Sequence, residues 1–434
     1  MTDFDPSDYG PETLALHAGH TPDQDTMSRA VPIYQTTSYV FRDTEHAAGL
    51  FDLTESGHIY SRLSNPTTDV LERRLAALHD AVGAVATASG MAAIFYAVAT
   101  LTSAGQNIVT GDKLYGGTYT QFCYPLKRFG IEARFADHRD PRSFEKLIDA
   151  STRAIYCESL GNPAGNVTDF EALAAIAHRH GIPLIVDNTV PTPYLIRPIE
   201  WGADIVVHSL TKFAGGHGTS IGGAIVDGGT FDFGASGRFK NFVEPDPSYH
   251  GLAYWPALGH GSFILKARVQ LLRDLGMAIS PFNAFLIIQG LETLSLRMER
   301  HFANADKVAK YLVGHPQVES VNYAGLATSP WHERAKKYGA GKGYGSIIAF
   351  DIRGGREAGQ KFVEALQLHS HVANIGDVRS LVIHPASTTH SQLTEEEQAS
   401  TGVRPGQVRL SVGLETIDDI LADLETGLGA AKGA

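Results

Sequence analysis

The chain has 434 residues, 43% hydrophobic and 19% charged, which is enough for one large buried core and a second, smaller unit. Its formal net charge of −11 argues against a nucleic-acid or anionic-membrane surface, since both need clustered Lys and Arg. Small molecules are the expected partners. The acidic first twenty residues lack a basic-then-apolar signal pattern, and no apolar run approaches the roughly 20 residues of a membrane span. A cytoplasmic location is expected. Cys123 and Cys157 are the only cysteines and have no CxxC spacing, so neither a disulfide framework nor a zinc knuckle is expected.

Residues Tyr60–Thr68 read as a turn that caps a helix over 69–78. From about Ala84, short apolar runs alternate with amphipathic stretches. Strands are expected over 84–88, 107–110, 132–136, 153–159, 183–187, 204–208 and 223–226, with helices over 91–101, 118–128, 144–150 and 170–180. Most of these strands are apolar on both faces, which predicts an α/β fold. Its sheet is largely parallel and covered by helices on both faces, with ligands at the strand C-termini. Residues 231–258, rich in Pro, Gly and aromatics, read as a long ordered loop. Pro281 then opens one long helix over 282–313. The rest predicts a smaller α+β unit, with strands over 318–323, 346–352 and 407–412 and helices over 357–368 and 417–428. Residues 391–406, carrying Glu395, Glu396 and Glu397, read as a solvated segment.

Two strand ends stand out. The run Asp204–His208 empties into Ser209-Leu-Thr211-Lys212 and a glycine-rich loop. Twenty-five residues before Lys212, the apolar run Leu184-Ile-Val186 ends on Asp187. A lysine after a strand is ordinarily a solvated edge residue, and an aspartate there a helix cap. A partly buried lysine, however, is neutral part of the time and can hold an aldehyde cofactor as a Schiff base. A buried aspartate can keep a pyridine nitrogen protonated, and the ring is then an electron sink. Ser89-Gly90-Met91 joins a strand to an alanine-rich helix whose free amides suit a phosphate, and Ser209 and Thr211 offer hydroxyls to the same group. Tyr60 and Arg62 lie on an extended segment able to reach another subunit's phosphate. Arg409, alternating with apolar neighbours, can clamp a carboxylate if its strand faces the cleft.

Two other chemistries are expected to fail. Gly218-Thr-Ser220-Ile-Gly222 matches the hydrolase elbow G-x-S-x-G, but the apparent strand follows the serine instead of preceding it. The pairs His17/His20, His178/His180 and His369/His371 each lack a third ligand, so no metal is expected.

Together these blocks resemble the Cys/Met-metabolism family of pyridoxal-phosphate enzymes of fold type I. The resemblance runs from Thr13-Leu-Ala-Leu-His-Ala-Gly19 to Arg409-Leu-Ser-Val-Gly-Leu-Glu415. It includes Tyr60-Ser-Arg62, Asn65-Pro-Thr67, Ser89-Gly-Met91, Glu158-Ser-Leu-Gly-Asn162-Pro163, Asp187-Asn-Thr189 and Ser209-Leu-Thr-Lys212. It implies pyridoxal 5'-phosphate held covalently by Lys212, with Asp187 on the pyridine nitrogen and Gly90, Met91, Ser209 and Thr211 on the phosphate. Tyr60 and Arg62 would join from a neighbouring subunit. Tyr115 resembles the ring that stacks on the cofactor, and Asn162 the partner near its phenolic oxygen. Arg409 matches the substrate carboxylate clamp, with Ser380 beside it. The resemblance also implies an N-terminal arm (1–70), a cofactor-binding domain (71–280) and a C-terminal domain (281–434). It makes a dimer the minimum active unit in a usually tetrameric family. The segments Glu244–Gly251 and Gly376–His390 look like the O-acetylhomoserine sulfhydrylase subgroup, which implies O-acetyl-L-homoserine plus sulfide giving L-homocysteine plus acetate. Cystathionine γ-synthase, O-succinylhomoserine sulfhydrylase and methionine γ-lyase are the alternatives. The last typically carries a cysteine where this chain has Gly116.

Overall fold

The computed structural model describes residues 5–432 except 163, 390, 392–393 and 395–402. Most of the expected acidic segment, with Glu395 to Glu397, therefore lies outside the described residues, as does Pro163. The larger sheet holds seven strands: β1 (Gly83–Thr87), β2 (Asn107–Gly111), β3 (Glu132–Ala136), β4 (Thr152–Glu158), β5 (Leu184–Asp187), β6 (Ile205–Ser209) and β7 (Gly223–Asp227), in the order β1-β7-β6-β5-β4-β2-β3. Strands β2 to β6 are parallel, and β7 runs against both neighbours, so β1 points the same way as β6. Six C-termini therefore share one edge of the sheet. β2 and β7 are buried at every position, which requires helices on both faces, and the apolar runs of the sequence meet that requirement.

A second sheet, ordered β10-β11-β12-β9-β8, is built from β8 (Val318–Asn322), β9 (Ile347–Ile352), β10 (Ser370–His371), β11 (Leu381–Ile383) and β12 (Gln407–Ser411). Only β10 and β11 pair in parallel. Its core, with Leu312, Phe350, Phe362, Leu410 and Leu424, is separate from the core around the larger sheet.

Several elements differ from expectation. The helix expected over 118–128 is two, Gly116–Cys123 and Pro125–Arg128, because Pro125 cannot donate to the first helix. The expected helix over 144–150 is the shorter Pro141–Glu145. The N-terminal stretch is not wholly extended: helix Pro11–His17 buries Leu14 and Ala15 in the main core, while Val40, Phe41 and Phe51 further along are exposed. Residues 231–258 are ordered by aromatic packing around Phe233, Phe239 and Phe242, and by a buried Lys266–Asp246 pair at 3.1 Å. That segment also forms two short helices, Lys240–Val243 and Tyr254–Leu258.

The long helix divides at Thr293 into Pro281–Glu292 and Leu294–Gly314. Arg297 stands at the break. Its guanidinium donates to Gly290 O at 2.6 Å, Thr293 Oγ1 at 3.3 Å, Phe213 O at 2.7 Å and Ala214 O at 3.1 Å. It thereby pins the loop that follows Lys212 to the helix pair joining the two sheets. A Cβ on Gly290 would stand 2.3 Å from Gly215 O, so only glycine permits this approach. Arg297→Met should cost about 2–4 kcal/mol, because it strands buried carbonyls that the guanidinium satisfies. Arg297→Lys should recover less than half of that loss. Urea unfolding of the three proteins measures both.

Candidate active site

One cleft of about 200 Å³ opens at the shared edge of the large sheet, and the polar lining that this sheet contributes comes from its strand ends and the segments after them. Ser89, Gly90 and Met91 follow β1, Tyr115 follows β2, and Glu158 and Asn162 end and follow β4. Asp187 and Thr189 end and follow β5, and Ser209, Thr211 and Lys212 end and follow β6. Asn374 and Arg409 approach from the smaller sheet.

Burial, helped by the Arg409 charge, lowers the Lys212 amine from its ordinary 10.5 to about 8. Its Nζ donates to Asn374 Oδ1. Gly376, at φ +76°, packs so closely on the Lys212–Phe213 peptide that a Cβ would stand 2.6 Å from Phe213 N, and this contact brings Asn374 within reach. The Arg409 guanidinium donates to Asn374 O at 3.0 Å and Asn162 Oδ1 at 3.4 Å, and its buried Nε has no partner. Burial lowers Arg409 to about 10.

Asp187 accepts from Thr189 N at 3.0 Å on one oxygen and from the Tyr156 hydroxyl at 3.3 Å on the other. Register places Glu158 directly beside it. Burial raises both carboxyls, and the neighbouring charge raises Glu158 further. Among the described residues neither has an ion-pair partner, so the floor of the cleft lacks a positive charge.

Helix Gly90–Leu101 begins at the cleft, with the Ser89 side chain accepting from Ala92 N at 3.2 Å. A Cβ on Gly90 would lie 2.6 Å from Ser209 Cβ, so the glycine lets the helix start and the β6 end meet. The Thr211 hydroxyl donates to Gly222 O and accepts from Gly222 N, both at 3.1 Å. Tyr115, half exposed, caps helix Gly116–Cys123 with its ring over Gly117, where a Cβ would stand 2.5 Å from the ring.

All twelve of the sequence-derived residues have described positions, and nine of them line the cleft: Lys212, Asp187, Gly90, Met91, Ser209, Thr211, Tyr115, Asn162 and Arg409. Ser380 does not. It is fully buried, its hydroxyl donating to Glu415 Oε2 at 2.8 Å and accepting from Gly413 N at 2.9 Å, so it braces the chain beyond β12. Tyr60 and Arg62 also lie outside this chain's own cleft, on the surface, with the guanidinium 5.1 Å from the Tyr60 ring centre. Sequence reasoning missed Asn374, which belongs to no motif and lies 162 residues from Lys212. It also left Glu158 and Thr189 without roles, although both stand inside quoted blocks.

Ser220 precedes β7, so the hydrolase elbow has its elements in the wrong order. His178 and His180 turn to different carboxylates, Asp204 at 2.8 Å and Glu145 at 3.0 Å, and His369 to Asp423 at 2.7 Å. Asp112, Asp137 and His138 form the one cluster among the described residues with cation-binding spacing, and its carboxylates are exposed. No helix among the described residues is long and apolar enough to cross a membrane.

An α/β sheet with a partly buried lysine, a partly buried carboxylate and a helix start around one cleft defines a site for a phosphorylated aldehyde. The Cys/Met metabolism PLP-dependent enzyme family matches residues 12–429, and the chain belongs to it. It is 58% identical to an O-acetyl-L-homoserine sulfhydrylase of Leptospira meyeri over 98% of this chain and 97% of that one. It is 53% identical to a homocysteine synthase of Schizosaccharomyces pombe, over 97% and 98%. A crystal structure described as an O-acetylhomoserine (thiol)-lyase from Campylobacter jejuni, carrying an N'-pyridoxyl-lysine-5'-monophosphate, superposes with a TM-score of 0.94. It is 45% identical and covers 97% of this chain and 100% of that one.

The cofactor is pyridoxal phosphate, and the donor set fits it. An amine that is partly neutral would suit the aldehyde, a carboxyl without a cation would suit the pyridinium, and a helix start with two nearby hydroxyls would suit the phosphate. In cofactor-free protein, trapping of added pyridoxal phosphate at Lys212 by borohydride should rise with a midpoint near pH 8, since the neutral amine is the nucleophile. Arg409→Met should move that midpoint upward, because the guanidinium charge helps hold the amine's pKa down. Peptide mapping by mass spectrometry reads both.

Proposed function

We propose that the protein catalyses γ-replacement, converting O-acetyl-L-homoserine and sulfide to L-homocysteine and acetate, the sulfhydrylation step of methionine synthesis. The observation that carries this reading is the juxtaposition of the Lys212 amine with the unpaired Arg409 Nε across one cleft, in a chain whose curated relatives are named for this reaction.

Lys212 would carry the cofactor, and Asp187 would hold the proton on its pyridine nitrogen. Gly90 and Met91 would offer main-chain amides, and Ser209 and Thr211 hydroxyls, to its phosphate. Tyr115 would cover the ring, and Asn162 would lie at its phenolic side. Bound there, the cofactor supplies an electron sink that acidifies first the α and then the β proton of the amino acid. Arg409 clamps the substrate carboxylate; its Nε and the NH groups now spent on Asn374 and Asn162 are the donors. Once the substrate's amino group has displaced Lys212 from the cofactor, that grip would orient the Cα–H bond toward the freed Nζ, which would take the α proton and then move protons along the substrate so that acetate leaves from Cγ and sulfide adds there. A lysine near 8 suits both halves of this task, since it can accept a proton and return it at neutral pH.

Tyr60 and Arg62 would serve the phosphate of a second copy, which makes a dimer the minimum active unit and a tetramer the assembly in keeping with the family. Residues 1–70 are then an arm to that copy, 71–280 bind the cofactor, and 281–434 carry the carboxylate clamp.

Crossing O-acetyl- and O-succinyl-L-homoserine with sulfide, methanethiol and cysteine tests the assignment. Homocysteine from the acetyl ester and sulfide should be the fastest product. Faster cystathionine formation from cysteine would refute it. Lys212→Ala should lower turnover by at least about 10⁴-fold and remove the visible absorbance of the bound cofactor. Retention of either would refute the lysine's role.

A further inference from the structure

Glu158 is the one charged side chain lining the cleft that the mechanism above leaves without a task. It is buried at the end of β4, beside Asp187 in the sheet, and has no cation with it among the described residues. A carboxyl so placed should be removed by selection for stability unless its hydrogen bonds matter. They reach two separate loops. Glu158 Oε1 accepts from Tyr115 N at 2.5 Å, and the carboxyl also accepts from the Asn162 main chain. Asn162 in turn presents Oδ1 to Arg409, so a single carboxyl holds the covering ring and the neighbour of the clamp in register with Asp187.

We propose that Glu158 is a positioning residue: through hydrogen bonds, and not through charge, it fixes the Tyr115 and Asn162 main chains relative to Asp187. Charge has no useful work at this spot. An anion on Glu158 would oppose the anion that Asp187 needs against the pyridinium, whereas a neutral acid accepts the same two amides without that repulsion. Burial and the neighbouring Asp187 favour its neutral form and outweigh the Tyr115 and Asn162 main-chain amides, which favour the anion.

This inference rests on the pyridoxal-phosphate family and not on which ester or thiol is the substrate. Glu158→Gln keeps the length and one accepting oxygen and cannot ionise, while Glu158→Asp keeps the ionisable carboxyl and shortens the reach. The two holoenzymes separate the possibilities by cofactor dissociation constant, by the pH midpoint of the bound cofactor's visible band, and by the split of KM against kcat. The Gln variant should stay within about threefold of the parent in cofactor affinity and KM, with its spectroscopic midpoint unmoved. The Asp variant should lose at least about tenfold in cofactor affinity and raise KM more than it lowers kcat, as the Tyr115 and Asn162 loops drift. Equal loss in both variants, loss in Gln alone, or no loss in either would overturn the proposal. Thermal unfolding of both variants without cofactor identifies a failure to fold, and a cofactor dissociation constant for Glu158→Ala should then match that of Glu158→Asp; parent-like affinity in Glu158→Ala would also overturn it.

Discussion

An ammonium group taken out of water at the end of β6 is the condition on which the rest of the site depends. Burial and, after it, the Arg409 guanidinium, which discourages a second positive charge nearby, together bring the Lys212 amine to about 8. Such an amine is useful only if its position is fixed. The Asn374 carboxamide, held by the glycine contact at Gly376, and the Arg297 clamp on Phe213 and Ala214 provide that from opposite sides.

The opposite sign is handled in the same way across the cleft. Asp187 and Glu158 lie on adjacent strands without a cation, stabilised by main-chain amides and one tyrosine hydroxyl. Fold and chemistry meet here. A parallel sheet brings strand C-termini to one edge, so groups far apart in the chain become neighbours there, and free amides at the following helix start favour an anion. Separating the cationic residues from the carboxyls leaves room for a zwitterionic ring between them. Deeper still, His79 and His208 share a 2.8 Å contact, and burial pushes both well below the ordinary range, so they contribute no charge beneath the lysine at neutral pH.

Legibility varied with the range of the interactions. Most strands after Ala84 were readable because two-sided burial demands continuous apolar runs, and β1 to β7 all fall within a residue or two of their expected bounds. Lys212, Asp187 and the Ser89–Met91 turn were readable because polar groups interrupt those runs at their ends. The break at Thr293 was not, since the apolar period continues across it and the cause is the side chain of Arg297 reaching residues more than eighty positions away. Ser380 shows the converse. Its place in a motif suggested the cleft, while its hydroxyl is committed to Glu415 and Gly413.

The sequence by itself determined the α/β order of the larger sheet and the residue types able to hold pyridoxal phosphate, because burial and backbone geometry act over a few residues at a time. Only the tertiary structure decided that Asn374 receives the lysine, that Glu158 joins two loops beside Asp187, and that residues 231–258 stay outside this chain's cleft. Those outcomes depend on how two sheets and their connecting helices pack, and a contact between residues 162 positions apart leaves no local pattern to read.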